Sequence, residues 1–499
     1  MKKQVVSSSF YKTIEVACLF ASSMFLTPYL VTHLGMEDYG LWVLALSVIS
    51  WLFILEFGFP EALQREVAIA MVKEDSTELQ SLFSTSLLLF LALSVLAIFV
   101  VVLLVVTDVL ALSEYSNAKI IKTCLLLLSL KLLYDFLFNS YHAFLMSILR
   151  LDIDHKLSTL NILLKTIAMF ILIPKLGLWG ALIASLGADF ISNTIKILWI
   201  KNAFPALSFN ILLANRQKLN HLFHFAKHVW LDIVARTLNL KSMPIVITKL
   251  LDVSLVGVYS VLNNLAVYVS SFIYALNDSL IPVFNKKFAQ QEDLQSLFDL
   301  NVRVNIFCAT LFYLPLVLLG ESFVLLWLGS AFSEHIYILY FSAFVLLLKS
   351  ISIPINQVLL AQAKHQLIAR TNLFSAIVSI ISAIFLGSHF GLKGIVFAAS
   401  VSFLLFEFGV SLLLIKKFTG FAIASLCKTL AMAFFLILFF FLFFQYIQLN
   451  ALIKTWGNLF FVSIGVFLAN ILPCYFLLLN QSLKQMLNKQ IHRCLRAIY

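Results

Sequence analysis

Six basic residues lie deep inside apolar stretches: Lys131, Lys165, Lys196, Arg236, Lys241 and Lys349. A cation at the centre of a spanning helix costs roughly 2.5–3.5 kcal/mol on insertion scales. Turning such side chains onto a wet cavity avoids most of that cost. A membrane cavity lined by ammonium and guanidinium groups predicts an anionic cargo, because these donors suit phosphate oxygens. Lys131 has Asp135 one turn on, and Arg236 has Asp232 one turn back. Lys165, Lys241 and Lys349 have no acid within a turn and are the leading candidates for holding a diphosphate. Pairing with acids on other helices, or snorkelling to an interface, is the competing reading.

Five acids also fall within apolar segments: Asp135, Asp189, Asp232, Asp278 and Glu407. Intramembrane carboxylates can carry H⁺ or Na⁺ and so couple transport to an ion gradient, or they can form static salt bridges. Apart from such coupling no cofactor is expected. His221, His224, His228 and Asp232 share one helical face. That spacing could bind a metal, but it falls where a linker enters a span and reads better as a polar interfacial stripe. Trp51, Trp230, Tyr134 and Tyr141 could stack on sugars or serve as packing and interfacial anchors.

The elements that must position these groups are membrane helices. The chain has 499 residues, is 62% hydrophobic and only 12% charged, and its mean hydropathy is +0.99. Apolar runs near 20 residues, the length that crosses a bilayer, recur from end to end. Fourteen spans are predicted, from about residue 13 to about residue 479, all with helical periodicity. The first follows Lys2, Lys3 and Lys12, lacks a small-x-small cleavage site, and is read as a retained helix. The net charge of +11 sits mainly in short loops, which points to membrane orientation and not to nucleic acid. With both termini cytoplasmic, the inner segments hold 23 Lys and Arg and the outer ones 6. The six cysteines show no CxxC spacing, so neither a disulfide framework nor a structural metal is expected.

The chain repeats. Pro28-x3-Thr32-x-Leu34 before Gly40 is echoed by Pro244-x3-Thr248-x-Leu250 before Gly257. Gly177-Leu178-x-Gly180 is echoed by Gly391-Leu392-x-Gly394, and His155 with Asn161 by His365 with Asn372. The offsets stay between 210 and 217 residues. A duplication of six spans follows. Six is even, so both halves keep one orientation and are related by a pseudo-two-fold axis along the membrane normal, with a site expected at their interface. The expected fold is an all-α polytopic membrane protein of about fourteen transmembrane helices. Residues 1–200 form one six-helix bundle, 201–226 a cytoplasmic linker and 227–415 the second bundle. Residues 416–499 add two further helices, turned to lipid or to a partner, and a basic cytoplasmic tail.

The stretch Leu34-Gly35-Met36-Glu37-Asp38-Tyr39-Gly40-Leu41-Trp42, then Glu56-Phe57-Gly58 and Ala62-x2-Arg65, resembles the start of O-antigen-type polysaccharide flippases. Those proteins belong to the multidrug/oligosaccharidyl-lipid/polysaccharide exporter superfamily. Glu56 stands where many relatives carry Asp, which keeps the carboxylate. The resemblance implies a translocator of the bacterial cytoplasmic membrane. Its cargo would be a polyprenyl-diphosphate-linked oligosaccharide, and its partners membrane lipids and other membrane proteins of polysaccharide assembly. A cation-coupled multidrug exporter of the same superfamily, a membrane enzyme of polysaccharide assembly and an undriven lipid scramblase remain open. The chain contains no GK dipeptide, no HExxH and no GxSxG. A Walker A ATPase site is thereby excluded, and the enzyme reading is weakened.

Overall fold

The computed structural model describes residues 2–148, 150–205, 207–278, 280, 284, 287–288, 290–362, 364–421, 424–446 and 453–479. Regular structure among them is entirely helical. The long helices are α1 (Lys2–Leu52), α2 (Phe59–Val72), α3 (Ser76–Thr107), α4 (Ala118–Ser147), α5 (Leu151–Leu176), α6 (Leu178–Ala203) and α7 (Arg216–Leu250). They continue as α8 (Val253–Asp278), α9 (Leu294–Leu328), α10 (Tyr337–Ala361), α11 (His365–Ser402), α12 (Val410–Thr419), α13 (Ala424–Tyr446) and α14 (Trp456–Leu478).

Ten helical stretches are long and apolar enough to cross a membrane among the described residues. Two of them contain two spans each. Gly35, with φ of 78°, breaks α1 into a pair, and Gly391, with φ of 61°, does the same within α11. α4 and α7 are long enough to span but carry the charges that lower their apolar character. The described helices agree approximately with the fourteen predicted spans, and the protein is an all-α polytopic membrane protein.

Two compact units can be distinguished. One comprises Met1–Ser260 with Asn372–Ile395, the other Val261–Thr371 with Val396–Tyr499. In the first, the core is built by Leu41, Leu44, Leu63, Phe83, Phe90, Phe136 and Phe144, all fully buried. Pro60 opens α2, where a missing N–H costs nothing. The loop after α3 is closed by Asp108, whose carboxylate accepts from the Leu112 and Ser113 amides at 3.0 and 3.1 Å. Hydrogen bonding from Ser113 and the nearby Lys122 amine hold that carboxyl down at about 2.

The sequence repeat has a structural counterpart within this unit. The Thr32 and Thr248 hydroxyls each donate to the carbonyl of the proline four residues back, at 2.9 Å in both cases. Gly180 and Gly394 each press on the carbonyl eight residues before them, where an added Cβ would come within 2.6 and 2.1 Å of Leu172 and Leu386 oxygens. The Gly40 and Gly257 contacts are reciprocal. A Cβ on Gly40 would lie 1.9 Å from the Val253 carbonyl oxygen, and one on Gly257 would lie 3.2 Å from Met36 Cε. Met36 and Val253 are themselves repeat-equivalent, so the seam maps onto itself as an isologous contact does.

The second unit has its own apolar core, drawn from Phe298, Leu314, Ile351, Ile355, Phe403, Leu436, Phe440, Leu459 and Val466. The last two helices, α13 and α14, are therefore two-faced. Leu436, Phe440, Leu459 and Val466 enter this core, while Phe434, Phe435, Phe460 and Phe461 stay exposed. Four buried amides lock together here. Asn305 and Asn277 exchange hydrogen bonds at 2.7 and 3.0 Å. Asn301 donates to Gln357 at 2.9 Å, and Gln357 donates to the Asn277 carbonyl at 2.8 Å. Residues Phe403–Gly409 form a π-helical stretch that carries Glu407.

Candidate functional site

In the first unit, α4 presents Lys131, Asp135, Asn139 and His142 on one stripe, because these positions recur at one- and two-turn spacing. α5 and α6 form a hairpin about Gly177, whose φ of 54° reverses the chain. Their polar residues meet the α4 stripe. Lys131 is ion-paired to Asp135 and lies 3.4 Å from Asp189 on α6. Asp189 also lies 3.6 Å from Lys165 and accepts from the Asn161 amide at 2.7 Å. Two lysines, two aspartates and an asparagine thus share one network.

One turn from Asp135, Asn139 donates to Glu56 Oε1 at 2.7 Å. Nearer the α4 end, Lys196 donates to Asp154 at 2.7 Å and to Ser158 at 3.3 Å. His142 Nε2 lies 3.6 Å from the same Asp154, and the Phe138 ring sits under the Lys196 amine at 5.7 Å. Charges of opposite sign therefore alternate through the unit. Pairing is how an ion is kept at low cost in a low-dielectric interior.

The other predicted residues are placed as follows. Arg236 pairs with Asp232 on α7; the arginine is exposed and the aspartate half-buried. Lys241 is half-buried and, among the described residues, has no carboxylate within 4.0 Å. Lys349, in the second unit, lies 3.8 Å from Glu407 and over the Phe403 ring at 5.9 Å. The side chain of Asp278 lies outside the described residues, as does that of His228. His221 approaches Glu66 at 3.6 Å, and no group of three metal ligands forms among the described residues. Lys286 and the basic tail (Lys484, Lys489, Arg493, Arg496) also lie outside them.

The aromatic candidates are mostly occupied by the protein itself. Trp230 donates to the Ile54 carbonyl at 3.0 Å and lies 5.2 Å from the Phe57 ring. The Tyr134 hydroxyl bonds Thr194 at 2.8 Å, and Tyr141 packs edge-on against Phe83. Trp51 Nε1 is buried and has no hydrogen-bond partner among the described residues.

Sequence reading missed Asp154 and His142, and it did not connect Glu56 to Asn139. Asp154 carries a usable signal. It and Lys196 are nearly equidistant from the Gly177 turn, so an antiparallel hairpin must bring them together.

Chemically, amines held by exchangeable carboxylates can accept an anion in place of a carboxylate, and the carboxylates can accept a proton or cation in place of an amine. Embedded charges that compensate one another within a bundle of membrane helices are a common feature of transport pathways. The chain belongs to the polysaccharide biosynthesis protein family, whose pattern matches residues 30–337. It is similar to the uncharacterized membrane protein EpsK of Bacillus subtilis, with 21% identity over 415 residues, 80% of each chain.

Among solved structures, the lipid II flippase MurJ in an inward closed conformation superposes with a TM-score of 0.67 at 16% identity, covering 99% of this chain and 100% of that one. An inward-facing multidrug resistance MATE family transporter of the MOP superfamily gives a TM-score of 0.63 at 14% identity, over 82% of this chain and 99% of that one. These likenesses show that the chain shares its fold with a lipid II flippase and with a multidrug transporter.

Proposed function

We propose that the protein translocates a polyprenyl-diphosphate-linked oligosaccharide across the cytoplasmic membrane by alternating access, for cell-surface polysaccharide assembly. The family supports the pathway, and the likeness to a lipid II flippase supports a lipid-linked cargo. One observation carries the reading: Lys241 is an embedded cation with no carboxylate beside it among the described residues. A half-buried ammonium without a fixed counter-ion suits a counter-ion that comes and goes. In this scheme the diphosphate meets Lys241 first. It then competes with Asp189 for Lys165 and Lys131, with Lys196 and Arg236 contributing positive potential. The lipid tail stays in the bilayer.

Displaced carboxylates must be compensated, and Asp135, Asp189, Asp232, Asp278 and Glu407 are the groups available to take up H⁺ or Na⁺. This is the point of contact with a cation-coupled exporter.

Lys241→Ala should weaken cargo binding about ten- to hundredfold, the value of one hydrogen bond to a charged group. Lys241→Arg, which keeps the charge, should retain most export. The measurement is surface polysaccharide in cells whose only copy is the variant, with membrane insertion confirmed by immunoblot. Wild-type export from correctly inserted Lys241→Ala would refute the role.

A further inference from the structure

The connection between α6 and α7 reads from sequence as a cytoplasmic loop, but its side chains are arranged for a different medium. Phe209, Ile211 and Leu212 are 52%, 63% and 88% exposed. They sit around a single 3₁₀ turn, Ile211–Leu213. A cluster of exposed apolar residues of this size is costly in free water.

The backbone of the same segment is pinned to α3. Ser81 Oγ donates to the Leu213 carbonyl at 2.6 Å. The Asn210 amide donates to Ser84 Oγ, and the Asn215 amide to Thr85 Oγ1, each at 3.1 Å. These α3 residues are buried. They lie about 7–14 Å along the helix from its start at Ser76, at 1.5 Å per residue.

α3 contains the most apolar 18-residue stretch of the spanning helices among the described residues, yet it carries this run of hydroxyls at one end. Backbone at membrane depth must find its hydrogen bonds inside the protein. Hydroxyls that satisfy a non-helical strap explain why they are there. Lys201 and Arg216 flank the strap and are exposed, and Lys218 reaches Glu78 at 2.6 Å at the first turn of α3.

We propose that residues 207–214 form a strap sunk into the membrane interface at the end where α3 begins, the cytoplasmic leaflet by the Lys and Arg distribution. Phe209, Ile211 and Leu212 enter the acyl boundary, and Lys201 and Arg216 sit among anionic lipid headgroups. The partner is a lipid surface, and the assignment does not depend on the cargo.

The test uses the full chain in nanodiscs containing phosphatidylglycerol, where both membrane faces are open to reagent. Leu212→Cys and Gln217→Cys are each exposed to a charged, membrane-impermeant maleimide, and modification is read peptide by peptide so that native cysteines do not interfere. Gln217 is exposed just beyond the strap and supplies the aqueous reference. Position 212 should react at least about tenfold more slowly than 217, since a charged reagent is excluded from hydrocarbon, and the two should react alike after denaturation. Equal native rates would overturn the proposal. So would protection at 212 in crude membranes that vanishes in the nanodiscs, because a protein would then be the cover. Phe209→Cys repeats the measurement should Leu212→Cys fail to fold.

Discussion

Replacing Lys196 with Met destabilises the protein by about 3–5 kcal/mol, the penalty for removing one partner of a buried ion pair. The Lys196 side chain is 8% exposed and its partner Asp154 15%. Methionine keeps the length and apolar stem, so packing against Phe138 survives and the loss is electrostatic. Among the described residues Asp154 would keep only His142, at 3.6 Å, and Ser158 would lose the amine it accepts from. Adding Asp154→Asn to Lys196→Met should restore most of the loss, because the orphaned charge disappears. Denaturant unfolding in detergent, followed for the two single variants and the pair, is the measurement. A Lys196→Met protein as stable as wild type, with export lost, would mean that this amine serves the cargo and not the fold.

That pair also shows what could be read from the sequence. Lys165, Asn161 and Asp189, like Lys196 and Asp154, mirror one another about Gly177. Once two adjacent spans are joined by a tight turn, antiparallel geometry fixes which residues meet. The kinks at Gly35 and Gly391 were legible for the same local reason: each follows a long apolar run and opens another.

The contact between Glu56 and Asn139 joins α4 to the turn after α1, and no periodicity specifies that approach. The amide set Asn277, Asn301, Asn305 and Gln357 is equally silent, since it needs three helices to converge. Lys349 and Glu407 were each singled out, but their meeting depends on a π-helical turn. A 3.6-residue repeat would aim Glu407 elsewhere. Embedded charge thus announces itself by composition, whereas its partner is legible only when the chain itself enforces proximity. This is why Lys131 and Lys165, chosen as cargo contacts, prove to share Asp189.

The repeat itself yields a sharper expectation. Gly40 and Gly257 occupy equivalent places in the reciprocal seam, yet the same substitution should have opposite outcomes there. A Cβ at Gly40 would meet the Val253 carbonyl oxygen at 1.9 Å and its carbon at 2.8 Å. Backbone cannot yield without moving a whole helix. A Cβ at Gly257 would meet Tyr39 Cδ1 at 3.0 Å and Met36 Cε at 3.2 Å, and the thioether end of a methionine turns aside readily. Gly40→Ala should therefore cost the seam about 1–3 kcal/mol, or about 5- to 150-fold in the population of the state that closes it. Transport cycles through states separated by only a few kcal/mol, so such a bias should cut export severely. Gly257→Ala should leave export near wild type. Surface polysaccharide from each variant, normalised to membrane-inserted protein, compares them directly. Normal export from Gly40→Ala alongside failure of Gly257→Ala would mean that the seam is not a contact the working protein must make.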